Sequence, residues 1–264
     1  MIKKISVWDK VAKEFSQNGP NYWSWFGKEL VKYSSLEEGH KVLDIGFGRG
    51  ASLFPGREIV GEQGLVYGLD TSEEMVNQSK QDNDYSNVFL TCSDLENYTV
   101  SKNHDQIYCG FGLAYLEANK INYERVHELL KNTGQFALSV WTHQEDQDGL
   151  TALVNKHLKI ENTPKHNSHM TTEFGVKGLL EKAGFVNVQT KLVEKTFLFK
   201  SKEEWWQDLN ASAVKNILDV IDEKANLMAF KEEAFEALNQ YKKKDGIHIK
   251  REAILIYCKK RKSI

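Results

Sequence analysis

Between His40 and Val76 the chain reads HKVLDIGFGRGASLFPGREIVGEQGLVYGLDTSEEMV. An apolar run meets three glycines at alternate positions (Gly46, Gly48 and Gly50), and a second apolar run ends at a lone acid, Asp70. Few folds accommodate that order. KVLDIGF (41–47) reads as a buried strand stopped by glycine, SLFPGREIV (52–60) as a helix interrupted at Pro55 and Gly56, and GLVYGLD (64–70) as a second strand. SEEMVNQSKQ (72–81) opens on a capping serine with acids in its first turn, which predicts a helix. VFLTCSD (88–94), DQIYCGF (105–111) and QFALSVW (135–141) predict three more strands, and YERVHELLKNTG (123–134) a helix closed by Gly134. Strands alternating with helices at this spacing imply right-handed crossovers and a doubly wound, mostly parallel α/β sheet.

Outside this stretch the rhythm changes. Residues 8–35 alternate charged and aromatic groups and predict one or two amphipathic helices, broken at Asn18-Gly19-Pro20. After Trp141 a polar loop leads into helices over 150–183, a strand-like segment at 185–199, two or three helices over 202–243 and a last strand at 252–260. No Gly/Ser linker divides these segments. The expectation is a single domain over 1–264: an N-terminal helical lid (1–35), a ligand-binding core (36–141), a helical insertion over 142–250 around the 185–199 strand, and a closing strand in 251–264.

Composition narrows the partners. A formal net charge of −2 gives no bulk attraction to nucleic acid or an anionic membrane, and the one dense basic cluster, Lys259-Lys260-Arg261-Lys262, reads as the solvated end of a strand. No apolar run reaches membrane-spanning length, and the N-terminus has no continuous apolar core of the secretory kind. Cys92, Cys109 and Cys258 lie in or beside apolar runs with neither zinc nor disulfide spacing, so buried free thiols in a reducing, cytoplasmic setting are expected, with no metal.

In an open α/β sheet the ligand binds beyond the carboxyl ends of the strands. A glycine turn there lets backbone approach a ligand closely. GFGRGA alone also fits the dinucleotide fingerprint, and Asp70 would grip a ribose hydroxyl in either reading. The later acids bear on the choice. Asp94, followed by apolar Leu95, suits an adenine, with the carboxylate accepting from the exocyclic amine and the leucine lying on the ring. Asp44, two residues before Gly46, could hold a cationic ammonium or fix the loop. Three carboxylates suit a cationic amino-acid sulfonium nucleoside and oppose a pyrophosphate.

These stretches together resemble the class I S-adenosylmethionine (SAM)-dependent methyltransferases. VLDIGFGRG is similar to their glycine loop, VYGLDTSEEMV to the second-strand acid and following helix, CSDLE to the adenine-binding acid, and QIYCGFGLAYL to the fourth-strand motif. LLKNTGQFALSVW, LLEKAGFVNVQ and KREAILIYCKK are similar to the later helix-turn-strand, the start of the closing hairpin and the last strand. The chain has Asn132-Thr133-Gly134 where the family often has Pro-Gly-Gly. The nearest subgroup is the ubiquinone/menaquinone-biosynthesis-like set acting on small molecules. The resemblance implies a Rossmann-like seven-stranded sheet with an antiparallel closing hairpin and a helical lid. It implies SAM as cofactor, held by Asp44, Gly46, Phe47, Gly48, Gly50, Asp70, Thr71, Met75, Ser93, Asp94, Leu95, Gly110 and Phe111, and a small-molecule acceptor methylated at oxygen first, then nitrogen or carbon. The alternatives are a catalytically silent SAM-binding protein and an NAD(P)-dependent oxidoreductase.

The acceptor site is less legible. His143, just past the fifth strand, is the candidate general base, against an ordinary loop histidine. His166 and His169 match no metal-ligand spacing. Trp8, Tyr22, Trp23 and Trp25 of the N-terminal segment, with Tyr115, Trp141, Trp205 and Trp206, are candidates to line an acceptor pocket or simply to pack. No Asn/Asp-Pro-Pro-aromatic motif follows the fourth strand, and no basic, aromatic-interleaved patch supports nucleic-acid binding. Oligomeric state is open.

Overall fold

The computed structural model describes residues 6–99, 103–142, 144–161 and 170–261. Its strands are β1 (Lys41–Ile45), β2 (Leu65–Asp70), β3 (Val88–Cys92), β4 (His104–Gly110), β5 (Leu130–Trp141), β6 (Phe185–Phe199), β7 (Lys242–Lys243) and β8 (Gly246–Lys260). The sheet order is β3-β2-β1-β4-β5-β8-β6, with β7 paired to β8. β3, β2, β1, β4 and β5 run parallel, and β8 lies antiparallel to β5, with Ala253 opposite Trp141. The sheet therefore has eight strands rather than the seven expected, because Lys242 and Lys243 turn back on Gly246 and Ile247 as a short hairpin arm.

The chain divides into two compact units. The larger comprises Trp23–Thr142, Ser168–Val193 and Ala253–Ile264. It carries the parallel strands with α2 (Tyr22–Lys32, from Trp23 on), α3 (Leu53–Val60), α4 (Glu73–Gln81), α5 (Leu113–Ala118), α6 (Ile121–Leu129) and α8 (Glu173–Lys182). Alternation along β1 sets its two faces. Leu43 and Ile45 join a buried cluster with Ile107, Phe136, Leu138, Val126, Leu180 and Ile256. Val42 and Asp44 point the other way: Val42 lies near Gly56 of α3, and Asp44 meets Ser52 just before that helix. Pro55 does not break α3, because it falls in the first turn, where proline is tolerated. α6 stops at Leu129, earlier than the sequence predicts, and residues 131–134 bulge out of β5 between the pairs His104–Leu130 and Gln106–Gln135. Cys92 is exposed, against expectation, since β3 is an edge strand; Cys109 and Cys258 are buried, and all three are free.

The smaller unit comprises Met1–Tyr22, His143–Asn167 and Glu194–Glu252. It holds α1 (Val7–Val11), α7 (Gln147–Leu158), α9 (Lys202–Asn210), α10 (Lys215–Lys224) and α11 (Leu227–Ala237). Its interior contains an ionic network. Asp146 accepts from both terminal nitrogens of Arg251 and from Trp205 Nε1 at 2.8 Å, while Tyr22 Oη donates to Asp208 at 2.9 Å. Burial pushes Asp208 up to about 7 against the pull of Arg251 and Tyr22. The same burial acts on Asp146, but there Arg251 and Trp205 win and hold the carboxyl below its usual range. Among the described residues no helix is long and apolar enough to cross a membrane.

Candidate active site

The larger unit places its chemistry beyond the carboxyl ends of β1, β2 and β4. Gly46, Gly48 and Gly50 all adopt positive φ (69°, 55° and 80°), so the loop turns through backbone shapes that side chains disfavour. At Gly50 an added Cβ would lie 2.3 Å from the Phe54 ring, whereas at Gly46 it would meet nothing within 4 Å. Gly46 thus borders open space.

Asp70 is tied to this loop. One carboxylate oxygen accepts from Gly48 N at 2.9 Å and the other from Ser72 N at 2.9 Å. Ser72 caps α4 by accepting from Met75 N, and Glu73 and Glu74 fill the first turn, so helix and acid are fixed by one short sequence. Ser93 N donates to Asp70 O, which brings the β3 loop alongside. Thr71 is exposed there, while Met75 and Phe47 are buried.

Asp44 is fully buried. Its Oδ2 accepts from Ser52 Oγ at 2.6 Å, and its Oδ1 has no partner. Burial raises the carboxyl to about 7, with the Ser52 hydroxyl and the Leu53 amide opposing and the charge of Asp70 adding to the rise. A buried, unsatisfied carboxylate oxygen is costly. It is a place where a cation would be stabilised and a phosphate repelled.

Asp94 is engaged locally: Oδ1 accepts from Asn97 N and Nδ2, both at 2.8 Å. Leu95 is fully buried, and its amide donates to Tyr115 Oη at 2.9 Å. Tyr115 is thereby tied to the β3 loop. Gly110 ends β4, and Phe111 follows at φ 56°, a rare angle for a bulky residue. Its amide donates to both Ser139 O and Ser139 Oγ, which hold the turn.

Phe111 stacks on Trp141 with centroids 3.9 Å apart and planes 17° from parallel. Trp23 and Phe26 of α2 meet both rings edge-on, at 5.0–6.0 Å. Trp25 packs edge-on against Phe26 at 4.8 Å. Of the predicted acceptor residues, Trp23, Trp25, Tyr115 and Trp141 belong to this unit; Trp8, Tyr22, Trp205 and Trp206 belong to the smaller one, where Trp206 packs near Phe230 and Phe235. His143, His166 and His169 lie outside the described residues. Among the described residues no group of three or more His, Cys, Asp or Glu is arranged to hold a metal ion.

Ser52, Ser139 and Ser79 also hold this site, beyond the residues expected from the sequence. Ser79 carries a readable signal: it is a polar residue in the buried phase of α4, alongside Met75 and Val76.

Fold and glycine loop together define a class I SAM-dependent methyltransferase architecture. The chain belongs to the Methyltransferase domain family, whose model matches residues 36–192. Aklanonic acid methyltransferase DauC of Streptomyces sp. (strain C5) is 28% identical over 137 residues, covering 50% of this chain and 62% of the relative. Nocamycin O-methyltransferase of Saccharothrix syringae is 37% identical over 70 residues, covering 26% of this chain and 25% of the relative. The chain thus spans less than two thirds of either relative. A SAM-dependent methyltransferase from Aquifex aeolicus superposes with a TM-score of 0.53 at 24% identity, covering 72% of this chain and 93% of that one.

Proposed function

We propose that the chain transfers a methyl group from SAM to a small acceptor with a flat apolar body, at oxygen in the first instance. The observation that carries the cofactor reading is Asp44, a buried carboxylate with one unpartnered oxygen beside a left-handed glycine turn. A cationic amino-acid nucleoside fits that oxygen; a pyrophosphate would set a second negative charge against it. In this reading Asp44 faces the ammonium, Asp70 the ribose and the β3 loop the adenine, with Gly46, Gly48 and Gly50 as the floor. Bound SAM supplies an already activated methyl group, so the chain's own part is alignment, and removal of a proton where the acceptor atom carries one.

The aromatic group of Trp23, Phe26, Phe111 and Trp141 at the ends of β4 and β5 supports an acceptor with a planar face. The names of the two relatives favour a small molecule, and one names an oxygen acceptor. His143 is the proposed base by its position after β5. The test is transfer of isotope-labelled methyl to a panel of phenols, amines and carbon acids. The expected product is a methyl ether. Binding of S-adenosylhomocysteine with no methylation across the panel would select a silent cofactor-binding protein instead.

A further inference from the structure

The middle of the glycine loop is held from the β2–α4 segment rather than from its own strand and helix. Ser79 is fully buried, and its Oγ donates to Gly48 O at 2.9 Å. Gly48 N donates to Asp70 Oδ2 at 2.9 Å, so both polar backbone groups of Gly48 are fixed by the β2–α4 segment. The next residue repeats the arrangement. Arg49 Nε and Nη2 both donate to Asp82, the residue that caps the end of α4. Residues 48 and 49 are thus attached to one neighbouring segment at three side chains, and Gly48 sits among them at φ 55°.

Serine is a poor choice for a buried helical position on packing grounds alone. It brings no apolar volume, and its hydroxyl must find a partner. Here that partner is the loop carbonyl. A trans peptide points its C=O and the following N–H in opposite directions, so anchoring Gly48 O toward α4 turns the Arg49 amide away from α4.

We infer that Ser79 is a positioning residue for the cofactor loop: its hydroxyl selects the peptide orientation at Gly48–Arg49 on which cofactor affinity depends. The claim about affinity rests on the proposed function; the claim about the loop does not.

Two replacements of equal shape separate hydroxyl from packing. Ser79→Thr keeps the donor and Ser79→Val lacks it, and any strain from the added branch is common to both. Amide hydrogen exchange of residues 46–51 is measured in the free protein, and S-adenosylhomocysteine affinity by calorimetry. The valine variant should exchange about tenfold faster across the loop and bind about tenfold more weakly than the threonine variant, the size of one net hydrogen bond. Turnover at saturating cofactor should stay within about twofold between the two. Equal loop exchange in the two variants would overturn the inference, as would equal affinity. If the wild-type chain binds no S-adenosylhomocysteine at all, the proposed function falls, and the exchange comparison still decides whether Ser79 holds the loop.

Discussion

The carboxylate of Asp70 accepts a hydrogen bond from the amide of Gly48 at 2.9 Å, joining the end of β2 to the turn after β1. The acid proposed to bind the ribose is therefore also a strut of the loop proposed to cradle the cofactor. Its second oxygen is engaged by Ser72 N, so the side chain is oriented before any ligand arrives. Such preorganisation lowers the ordering cost of binding.

Replacing Asp70 should remove both roles at once. Asp70→Ala should weaken S-adenosylhomocysteine binding by roughly 2–4 kcal/mol, from lost charge-assisted hydrogen bonds and a loosened turn. Calorimetry on a variant with wild-type circular dichroism measures it. A loss of less than threefold would take Asp70 out of the site.

Asp44 should link pH to both stability and binding. Its carboxyl titrates near 7 in the fold, against 3.8 as the ordinary value. The folded chain then holds the extra proton, so the contribution of Asp44 to stability is full below about pH 4 and is lost as pH rises toward 7, by up to about 4 kcal/mol. Asp44→Asn should melt higher than wild type at pH 8, with the gap closing at pH 4. If the carboxylate faces a ligand ammonium, cofactor binding at pH 6 should release a proton from wild type but not from this variant. Calorimetry in two buffers of different ionisation enthalpy reads that release. A wild type that melts no lower than the variant at pH 8 would refute the assignment.

Much of this was legible because it is local. The strand-loop-strand from Lys41 to Asp70 follows from apolar runs and glycine spacing, and the α4 start from Ser72, Glu73 and Glu74. The buried network was not. Asp146, Asp208 and Arg251 are far apart in sequence, and each reads as a surface charge until the fold brings them together. The early end of α6 was hidden for a related reason. Leu130 and Gln135 pair with His104 and Gln106 of β4, and Lys131 meets Asp105 Oδ1 at 2.6 Å; these are tertiary contacts that local helical preference does not reveal. β7 is only two residues long and carries no period to detect.

Arg251 should be the most sensitive charge in the smaller unit. Removing it leaves Asp146 and Asp208 buried without their cation, which should cost roughly 3–5 kcal/mol. Because Asp208 titrates near 7, the loss in Arg251→Met should be larger at pH 8 than at pH 5, where that carboxyl is neutral. Urea unfolding at the two pH values measures it, and equal losses would contradict the assignment.

Trp141 should matter to the acceptor more than to the cofactor. Trp141→Leu removes the parallel stack on Phe111 and should raise KM for a planar acceptor by about tenfold, the scale of one aromatic contact, at constant S-adenosylhomocysteine affinity. An unchanged acceptor KM would make the aromatic group simple packing.

In the proposed function the Asp44–glycine loop–Asp70 constellation receives a cationic amino-acid nucleoside. Separate calorimetric titrations of S-adenosylhomocysteine and NADH into the wild-type chain at pH 8 decide between this ligand and a dinucleotide. The structure predicts one S-adenosylhomocysteine bound per chain and no heat from NADH. Saturable binding of NADH, with none of S-adenosylhomocysteine, would contradict it.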